Sequence, residues 1–435
     1  MARYVAPQMV MTPWGDASTL RDRRLSPGRG VPREEARRNQ RERLFAAMVA
    51  VTAEKGFPDT SVGDLVELSG VSSRSFYQHF ADKEECFLAT MDEILQNVQA
   101  LAETALARRE QAGQPYQVVE TFLAMVAAQP AAAKLCMVSA FSAGDAPRER
   151  VDRAVRKLAE LVRRGVEQVP DRDGIPEEMT QAILAGVALV VYRRLAQDRL
   201  DDLEELGPQL GRWVLSLPPP PRPLRPRPQR RRAAVAPGPP PLAAHVPAER
   251  VLRAFAAVVA EKGYAAAAIA DVAAAAHISQ NTFYKHFRDK AHALEAALDS
   301  SGAQMLAATL PAVRRAPQWP GALRVALEAL CAFMAAEPVF AYLREVEVYA
   351  VGPETVTQRD QARGEIVAML ATVAEPEGEF DPIAVEATLG VFQALLYGRI
   401  AEGRLRDLIE VPPLVTYMAL APVLGAEEAW QVACG

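Results

Sequence analysis

Apolar residues recur every three or four positions along most of this chain. Leu44, Met48 and Val51 follow this spacing near the start, and Val251 and Phe255 repeat it in the second half. Residues spaced in this way line one face of an α-helix. No segment has the β-branched alternation, bounded by tight turns, that is typical of hairpins. The pattern predicts an all-α protein.

Two segments lack this helical period. Residues 1–34 contain scattered prolines and arginines, so we expect a disordered basic arm there. Residues 217–248 begin with a leucine and four prolines, continue with arginines and contain a second proline run. Such a composition favours extended polyproline II and does not pack a core. We therefore expect a solvated spacer between two folded halves.

An internal repeat organises the rest of the chain. Residues 54–83 match residues 261–290 without a gap, at a constant shift of 207 positions. A weaker match continues to Arg199 and Arg404, with shifts between 205 and 208. A fixed period marks a repeated structural unit, so the chain contains two copies of one helical unit. The identical pairs include Glu54 and Glu261, Gly56 and Gly263, Asp64 and Asp271, Ser72 and Ser279, Phe76 and Phe283, and Tyr77 and Tyr284.

Each copy contains two short helices joined by a tight turn. In copy 1, Ser61 and Asp64 have the spacing of a capping box at the start of the first short helix. Gly70 suits the turn, and Ser72 can cap the next helix, which runs to about His79. Two short helices joined by a glycine-containing turn predict a helix-turn-helix.

Polar side chains cover the outer face of the second short helix, opposite the apolar Phe76 and Phe80. Such groups suit base edges and phosphates in a major groove. Lys83 opposes the dipole of the helix that follows, which suggests an anion such as phosphate nearby. The residues predicted to bind DNA are Thr60, Ser61, Ser72, Ser73, Arg74, Ser75, Tyr77, Gln78, His79 and Lys83 in copy 1, and Gln280, Asn281, Thr282, Tyr284, Lys285, His286 and Lys290 in copy 2.

These residues carry a family resemblance. Residues 61–84 resemble the DNA-binding head of TetR-type transcriptional repressors, and residues 278–290 resemble it a second time. The resemblance implies that the second short helix enters the major groove, with the tyrosine and lysine of each copy on the DNA backbone. It also implies a helical domain after each head that dimerises and contains a cavity for a small apolar effector. The sequence identifies neither the effector nor the residues that line its site.

The predicted organisation has six segments. They are a disordered basic arm at 1–34, a helix-turn-helix domain at 35–85 with its motif at 61–80, a helical regulatory domain at 86–216, a Pro/Arg-rich linker at 217–248, a second helix-turn-helix domain at 249–292 with its motif at 268–287, and a second helical regulatory domain at 293–435.

Copy 2 departs from the pattern at two points in its head. Ala268 replaces Ser61, which removes the capping hydroxyl and costs about 1 kcal/mol. His277 replaces Gly70, which is strained if its φ angle is positive. The second head is therefore expected to bind DNA differently or more weakly than the first.

Candidate chemistry of other kinds is sparse. The histidines lack the i, i+4 spacing of a helical metal pair, and the four cysteines contain no Cys-x-x-Cys. No nucleophile–base set or glycine-rich phosphate loop is recognisable, so we expect no enzyme, metal or cofactor. Glu345 and Glu347 are interpreted as surface carboxylates, with contact to a cationic ligand as the alternative. The net charge of −5 decides nothing, because nucleic-acid binding depends on how charge is distributed.

The sequence predicts a cytoplasmic protein. Its longest apolar run, from Ala182 to Val191, falls short of the ~18 uninterrupted residues of a membrane span. The N-terminus lacks the charged, apolar and small-residue order of a secretory signal.

The leading hypothesis is a ligand-responsive repressor that binds a double-stranded DNA operator. Helices near 177–196 and 202–216 are expected to pair with helices near 382–401 and 411–424, which makes one chain a monomeric pseudo-dimer. A homodimer of two chains is the alternative. Two further hypotheses are a ligand-sensing or scaffold protein whose heads no longer bind DNA, and a helical-bundle enzyme.

Overall fold

The chain folds into α-helices, as the apolar spacing predicts. A computed structural model describes residues 10–25, 31–107, 117–166, 175–227, 247–316, 319–352, 354–361, 363–364 and 381–435. The predictions for residues 1–9 and 26–30 of the arm and 228–246 of the linker lie outside these residues. The chain forms two compact units, Met1–Asp171 with Val190–Arg212, and Arg172–Leu189 with Trp213–Gly435.

The first head consists of α1 (Arg33–Lys55), α2 (Val62–Ser69), α3 (Ser73–His79) and the start of α4 (Lys83–Ala107). The predicted caps are present. The Ser61 Oγ accepts from the Asp64 backbone N–H at 3.2 Å, and the Asp64 carboxylate accepts from the Ser61 N–H at 2.9 Å. Gly70 has a φ of 64°, the left-handed conformation that the turn needs. The helix-turn-helix is therefore fixed by local chemistry.

A folded N-terminal segment covers part of this head. Strands β1 (Met11–Thr12) and β2 (Gly15–Asp16) pair antiparallel, and a one-turn 3-10 helix follows at Ala17–Thr19. Leu20 is fully buried in the head's core, and the Trp14 ring lies 5.2 Å from that of Phe45.

The expectation of a disordered arm is therefore wrong for residues 10–25. The abundant prolines and arginines obscured a few apolar side chains whose burial orders the segment. A polar contact adds to it, since the Arg21 Nε donates to the Glu67 carbonyl at 2.9 Å.

The remainder of copy 1 continues as a helical bundle. A proline at the first position starts α6, and a π-helical turn at Leu135–Ser139 follows it directly. The helices are α5 (Gln117–Ala128), α6 (Pro130–Lys134), α7 (Ala140–Ser142), α8 (Asp145–Val166), α9 (Glu177–Ala196) and α10 (Leu203–Ser216).

The second head repeats the first, with α11 (Pro247–Lys262), α12 (Ile269–Ala275), α13 (Gln280–His286) and α14 (Lys290–Val313). Its predicted departures are present. Only half of the capping box remains, in which the Asp271 carboxylate accepts from the Ala268 N–H at 3.3 Å. His277 has a φ of 53°, the positive angle that was expected to strain it.

The second unit ends in a bundle of helices around another π-helical turn, Leu343–Glu347. Glu345 and Glu347 in this turn are 1% and 4% exposed, so their interpretation as surface carboxylates is wrong. Residues 354–361 are helical, and a 3-10 helix occupies Leu405–Glu410. The labelled helices are α15 (Trp319–Ala336), α16 (Pro338–Tyr342), α17 (Val348–Val351), α18 (Pro382–Ala401), α19 (Val411–Leu424) and α20 (Ala426–Cys434).

A glycine-lined helix crossing lies within the second unit. A Cβ atom built on Gly186 of α9 would lie 2.8 Å from the Ala387 carbonyl and 2.8 Å from the Val391 Cγ2 of α18. A Cβ on Gly390 would lie 3.0 Å from the Gly186 carbonyl. The two backbones approach this closely because neither glycine has a side chain. Near the end of the crossing, the Arg399 guanidinium pairs with Glu178 at 2.7 Å.

Residues 217–227, here called the strap, pack on the last two helices. The Tyr417 hydroxyl donates to the Pro218 and Pro219 carbonyls at 3.2 and 3.1 Å, and the Trp430 Nε1 donates to the Arg222 carbonyl at 3.1 Å. The Arg222 guanidinium lies 3.8 Å from the Trp430 ring centroid and pairs with Glu427. The prediction of a solvated spacer is therefore wrong for the strap. Tyr417 and Trp430 donate hydrogen bonds to its backbone carbonyls, and the Trp430 ring also contacts Arg222.

Among the described residues, four helices are long and apolar enough by composition to cross a membrane. Each contains an 18-residue stretch with at most two charged residues, so its apolar character is interrupted in the sequence. These helices also pack within the protein, with between 33% and 67% of each window buried. They are Glu177–Ala196, Trp319–Ala336, Pro382–Ala401 and Leu405–Leu424.

Replacing Trp430 is expected to release the strap. Trp430→Ala removes both the ring under Arg222 and the indole donor, so chymotrypsin should cut after Leu224, which is half-buried in the strap. Mass spectrometry of the fragments identifies that cut and its rate. Trp430→Phe keeps a ring but loses the donor, and an intermediate rate is expected. Equal rates in all three proteins would show that the strap is not held in solution.

Candidate nucleic-acid interface

The outer faces of α3 and α13 are built alike. Phe76 and Phe283 are fully buried, and each packs edge-on against the next tyrosine, with centroids 5.3 and 5.6 Å apart. This packing leaves Tyr77 60% exposed and Tyr284 52% exposed. The other exposed residues on these faces are Ser72, Ser73, Arg74 and Gln78 in copy 1, and Gln280, Asn281, Lys285 and His286 in copy 2. Their contact with DNA stays a prediction.

The hydroxyls at the start of each recognition helix serve as caps. The Ser72 Oγ accepts from the Ser75 N–H at 3.1 Å and lies 2.9 Å from the Ser75 Oγ. The Ser279 Oγ has the same relation to Thr282, at 3.1 and 2.9 Å. These groups therefore hold the first turn in place, and Ser75 and Thr282 are half-buried.

Thr60 does not belong to the exposed face, contrary to the prediction. It is 2% exposed, and its hydroxyl donates to the Gly56 carbonyl at 2.7 Å. The hydroxyl is needed there because it closes the turn between α1 and α2. Ser61 is exposed but is committed to the capping box described above.

Lys83 contacts the protein with all three of its N–H donors. Its Nζ donates to the carbonyls of Phe57, Pro58 and Thr60 at 3.2, 3.2 and 2.9 Å, and lies 4.7 Å from the Phe57 ring centroid. The carbonyl oxygens carry the partial negative charge that offsets the unfavourable helix dipole. The sequence analysis expected an anion such as phosphate beside this lysine. The structure shows three neutral carbonyl acceptors in the loop after α1, and the phosphate contact stays a prediction.

Lys290 repeats this arrangement in copy 2. Its Nζ donates to the carbonyls of Tyr264, Ala265 and Ala267 at 2.7, 3.3 and 3.3 Å, and lies 4.4 Å from the Tyr264 ring centroid. We refer to each set of contacts as the lysine clamp. Both lysines are half-buried, and the contact with the DNA backbone that the resemblance implied stays a prediction.

His79 turns back onto α1. Its Nε2 lies 2.9 Å from the Gln40 Oε1, which is the helix-end hydrogen bond expected for it. Burial lowers the pKa of this imidazole, and the nearby Arg37 and Arg41 lower it further. The ring is therefore neutral at pH 7 and does not act as a cation toward phosphate.

An exposed arginine stripe on α1 was missed in the sequence. Arg33, Arg37 and Arg41 recur every four positions, so they share one face of the helix, and all three are exposed. Such a stripe suits DNA phosphates, and its spacing was the available signal. Helix α11 begins at Pro247, which aligns with Gln40, so the described part of copy 2 has no counterpart to the stripe.

A buried arginine joins α1 to the helix-turn-helix. The Arg43 Nη1 donates to the Ser69 carbonyl at 2.6 Å, and its Nε donates to the Asn39 Oδ1 at 3.1 Å. Burial lowers the pKa of this guanidinium, and the charges of Arg24 and Arg23 add to the effect. Because Ser69 directly precedes the turn, Arg43 positions that turn from inside the head.

Comparison with known proteins identifies the family. The sequence profile of the bacterial regulatory proteins of the tetR family matches residues 44–90 and residues 251–297. Both heads are TetR-type DNA-binding domains. Each match includes one recognition helix and one lysine clamp, so this TetR-type regulator carries two helix-turn-helix DNA-binding domains in tandem.

Solved structures of TetR-type regulators also resemble it. The fatty acid degradation regulator FadR from Bacillus halodurans is 17% identical over 40% of this chain and 94% of its own, with a TM-score of 0.36. A TetR-like regulator from Rhodococcus sp. RHA1 is 20% identical over 41% and 97%, with a TM-score of 0.35. FadR from Bacillus subtilis, solved with stearoyl-CoA, is 14% identical over 40% and 97%, with a TM-score of 0.32.

The lysine clamp predicts a structural role for Lys83. Lys83→Met should destabilise the first head by about 1–3 kcal/mol, because three carbonyls lose their donor. The slope of log affinity against log salt on a random 30-base-pair duplex should stay unchanged. Thermal unfolding and fluorescence anisotropy measure the two quantities.

Arg37→Met is the matched control for that experiment. Arg37 is exposed on the arginine stripe, so its loss should leave stability unchanged and reduce the salt slope by about 1. The opposite pattern, with a stable Lys83→Met protein and a reduced slope, would restore the phosphate contact first assigned to Lys83.

Proposed function

We propose that this TetR-type regulator is a ligand-responsive repressor whose two unlike heads bind one operator. The observation that carries the proposal is the pair of exposed recognition faces on a common frame. Copy 1 presents Arg74 and Gln78, where copy 2 presents Asn281 and Lys285. Because side chains of different chemistry prefer different base edges, the operator has two unlike half-sites.

The glycine crossing supports an intrachain pseudo-dimer. Gly186 of copy 1 aligns with Val391 of copy 2, at the shift of 205 that also relates Tyr192 to Tyr397. These two equivalent positions meet directly, since a Cβ on Gly186 would touch the Val391 side chain. In a twofold-symmetric pair, equivalent residues meet at the axis. The crossing therefore has the form of a dimer interface made by one chain.

The effector is proposed to act by shifting a conformational equilibrium. It binds a helical domain, favours a spacing of the heads that no longer fits the operator, and releases the DNA. Its effect is limited to its difference in affinity for the two states. Such a regulator works in the cytoplasm, where the DNA is.

A second candidate function follows from the strain in the second head. The positive φ of His277 and the missing cap hydroxyl weaken this head locally. In this alternative, the first head alone binds DNA, and the second copy serves ligand sensing.

Substitutions on each recognition face distinguish the two candidates. An operator selected from random duplexes by the full chain is the probe. Arg74→Ala should relax base preference in one half-site and Asn281→Ala in the other, each by about 1–3 kcal/mol if a base is contacted.

Arg314→Ala is the control, because it removes an exposed charge elsewhere in copy 2 and should leave both half-sites unchanged. If Asn281→Ala and Lys285→Ala change nothing while Arg74→Ala does, only the first head reads DNA. If no sequence-selective shift is found for the wild-type chain, both candidates that bind DNA fail.

The oligomeric state tests the intrachain pairing. Light scattering at micromolar concentration should give a mass near the 47.3 kDa of one chain. A stable mass of twice that value would reject intrachain pairing in favour of the homodimer.

Glycine substitutions locate the pairing. Gly186→Ala and Gly390→Ala should lower the melting temperature despite the gain of up to about 1 kcal/mol in helix propensity, because the added methyl groups meet backbone at 2.8 and 3.0 Å. Gly398→Ala, also in α18, meets nothing within 4 Å and should be neutral or stabilising. Equal responses at all three glycines would show that the crossing is not formed in solution.

A further inference from the structure

A cluster of buried charges surrounds the π-helical turn of copy 2. Arg344, Glu345, Arg359 and Arg363 are between 1% and 6% exposed, and Asp360 lies beside them. The Arg363 Nη2 donates to the Glu345 Oε1 at 2.6 Å, and the Arg359 Nη2 donates to the Asp360 Oδ1 at 2.7 Å. Burying charges costs several kcal/mol per ion before their pairing is counted.

The same cluster contacts the helix that leaves the second head. The Arg344 Nη1 donates to the Leu298 carbonyl at 2.6 Å and to the Ser301 Oγ at 3.1 Å, both in α14. Gly302 makes this approach possible, because a Cβ there would lie 3.3 Å from the Arg344 Nη1. This contact therefore depends on Ser301 and Gly302 of α14 as well as on Arg344 of the turn.

Copy 1 shows that this fold does not need the charges. At the positions aligned with Arg344, Glu345, Arg359 and Arg363 it has apolar or weakly polar residues, whereas Asp152 aligns with Asp360. The same π-helical turn therefore forms without those four charges. The copies differ both on the helix after the head and on the segments that pack against it, so the differences occur together. The aligned pairs are Ile94 and Ser301, Leu95 and Gly302, Cys136 and Arg344, Met137 and Glu345, Val151 and Arg359, and Val155 and Arg363.

The cluster is left with unused hydrogen-bonding atoms. The Arg344 Nε, the Glu345 Oε2 and the Arg363 Nη1 are buried without a hydrogen-bond partner among the described residues. The last two make only long ion-pair contacts, at 3.9 Å to the Arg359 Nη1 and 4.0 Å to the Asp360 Oδ1. The three arginines face Glu345 and Asp360, and the Asp299 carboxylate also acts on the Arg344 charge. Burial would raise the pKa of Glu345, but the charges of Arg363, Arg359 and Arg344 outweigh burial and lower it, so the carboxylate stays ionised. Buried polar groups normally have partners, so a missing partner is indicated.

We propose that this cluster is the effector site of the second copy, and that it takes a small molecule bearing a carboxylate. The inference rests on the proposed ligand response and adds its chemistry. Arg363 and Arg344 offer the unused donors, and guanidinium groups match carboxylates in geometry and charge. The unused Glu345 oxygen accepts from a donor elsewhere on the same molecule. Copy 1, with apolar side chains at these positions, has no such site.

Two contacts connect the cluster to the second head. Arg344 holds α14 at Leu298, two turns after the lysine clamp at Lys290. At the other end of the π-helical turn, the Glu347 carboxylate accepts from the Tyr264 N–H, and the Tyr264 carbonyl is itself part of that clamp. A ligand that draws Arg344 and Glu345 toward itself therefore acts on the loop and the helix that position α13.

The test is a thermal-shift titration of the full chain with sodium acetate, butyrate, octanoate, benzoate and succinate. Sodium chloride at equal ionic strength and the matching primary amines are the references. At least one carboxylate should raise the melting temperature saturably, and the amines should not. Arg363→Met should weaken the binding of that carboxylate by roughly tenfold or more, because a charged hydrogen-bond donor is lost. Val155→Met introduces methionine at the aligned position of copy 1 and should leave the affinity for that carboxylate unchanged.

A second variant guards against misfolding. It carries Arg344→Cys, Glu345→Met, Arg359→Val and Arg363→Val, the residues that copy 1 accommodates in the same fold. It should unfold cooperatively and lose the carboxylate response. If no carboxylate in the series raises the melting temperature, or if both variants still show the rise, the cluster is a structural ion network and the proposal fails.

The outcome is separate from that of the proposed function. If the chain binds the operator and no carboxylate changes that binding or the melting temperature, the DNA-binding proposal stands and the proposed ligand site is wrong. A carboxylate shift in melting temperature without operator binding would support the site and count against the repressor.

Discussion

An ammonium group held by three backbone carbonyls fixes the geometry of each head. The lysine clamp ties the first turn of the long helix after the helix-turn-helix to the loop before it. Both loops close around Lys83 and Lys290 although their sequences differ, because the clamp uses main-chain oxygens and one aromatic ring. The recognition helix lies between the two clamped elements, so its direction follows from this interaction.

Both copies contain the lysine clamp, but they differ in the turn, the caps and the core around it. Copy 1 has a glycine in the turn, a complete capping box, an arginine stripe and a folded N-terminal segment. Copy 2 has His277 in the turn and half of the box, but it has charges where copy 1 has an apolar core. Each copy thus has features that the other lacks. These differences are what separates the two candidate functions, in which either both heads or only the first head binds DNA.

Local chemistry explains how much the sequence could predict. The repeat, the caps at Ser61 and Ser72 and the turn at Gly70 depend on neighbours within a few positions, and the structure contains them as predicted. Leu20 and Trp430 depend on partners far along the chain, which composition does not reveal.

The misassigned site residues have the same origin. Thr60 looks like a surface hydroxyl until the carbonyl of Gly56 is found beside it, and Lys83 looks unpaired until the loop after α1 is in place. Glu345 was misjudged because a charged residue in an apolar helix is normally exposed, whereas here three arginines surround it. Sequence patterns identify the frame well, and identify buried polar partners poorly.

The strap also constrains how the protein is made. Its residues leave the ribosome about 200 positions before Tyr417 and Trp430, which hold it, so at ~5–20 residues per second the segment waits roughly 10–40 s for its binding surface. During that time the first head can fold without interference. A proline-rich segment suits this delay because it stays extended and has few amide donors with which to form a competing strand. Completion of the last helix is then the step that joins the middle of the chain to its end.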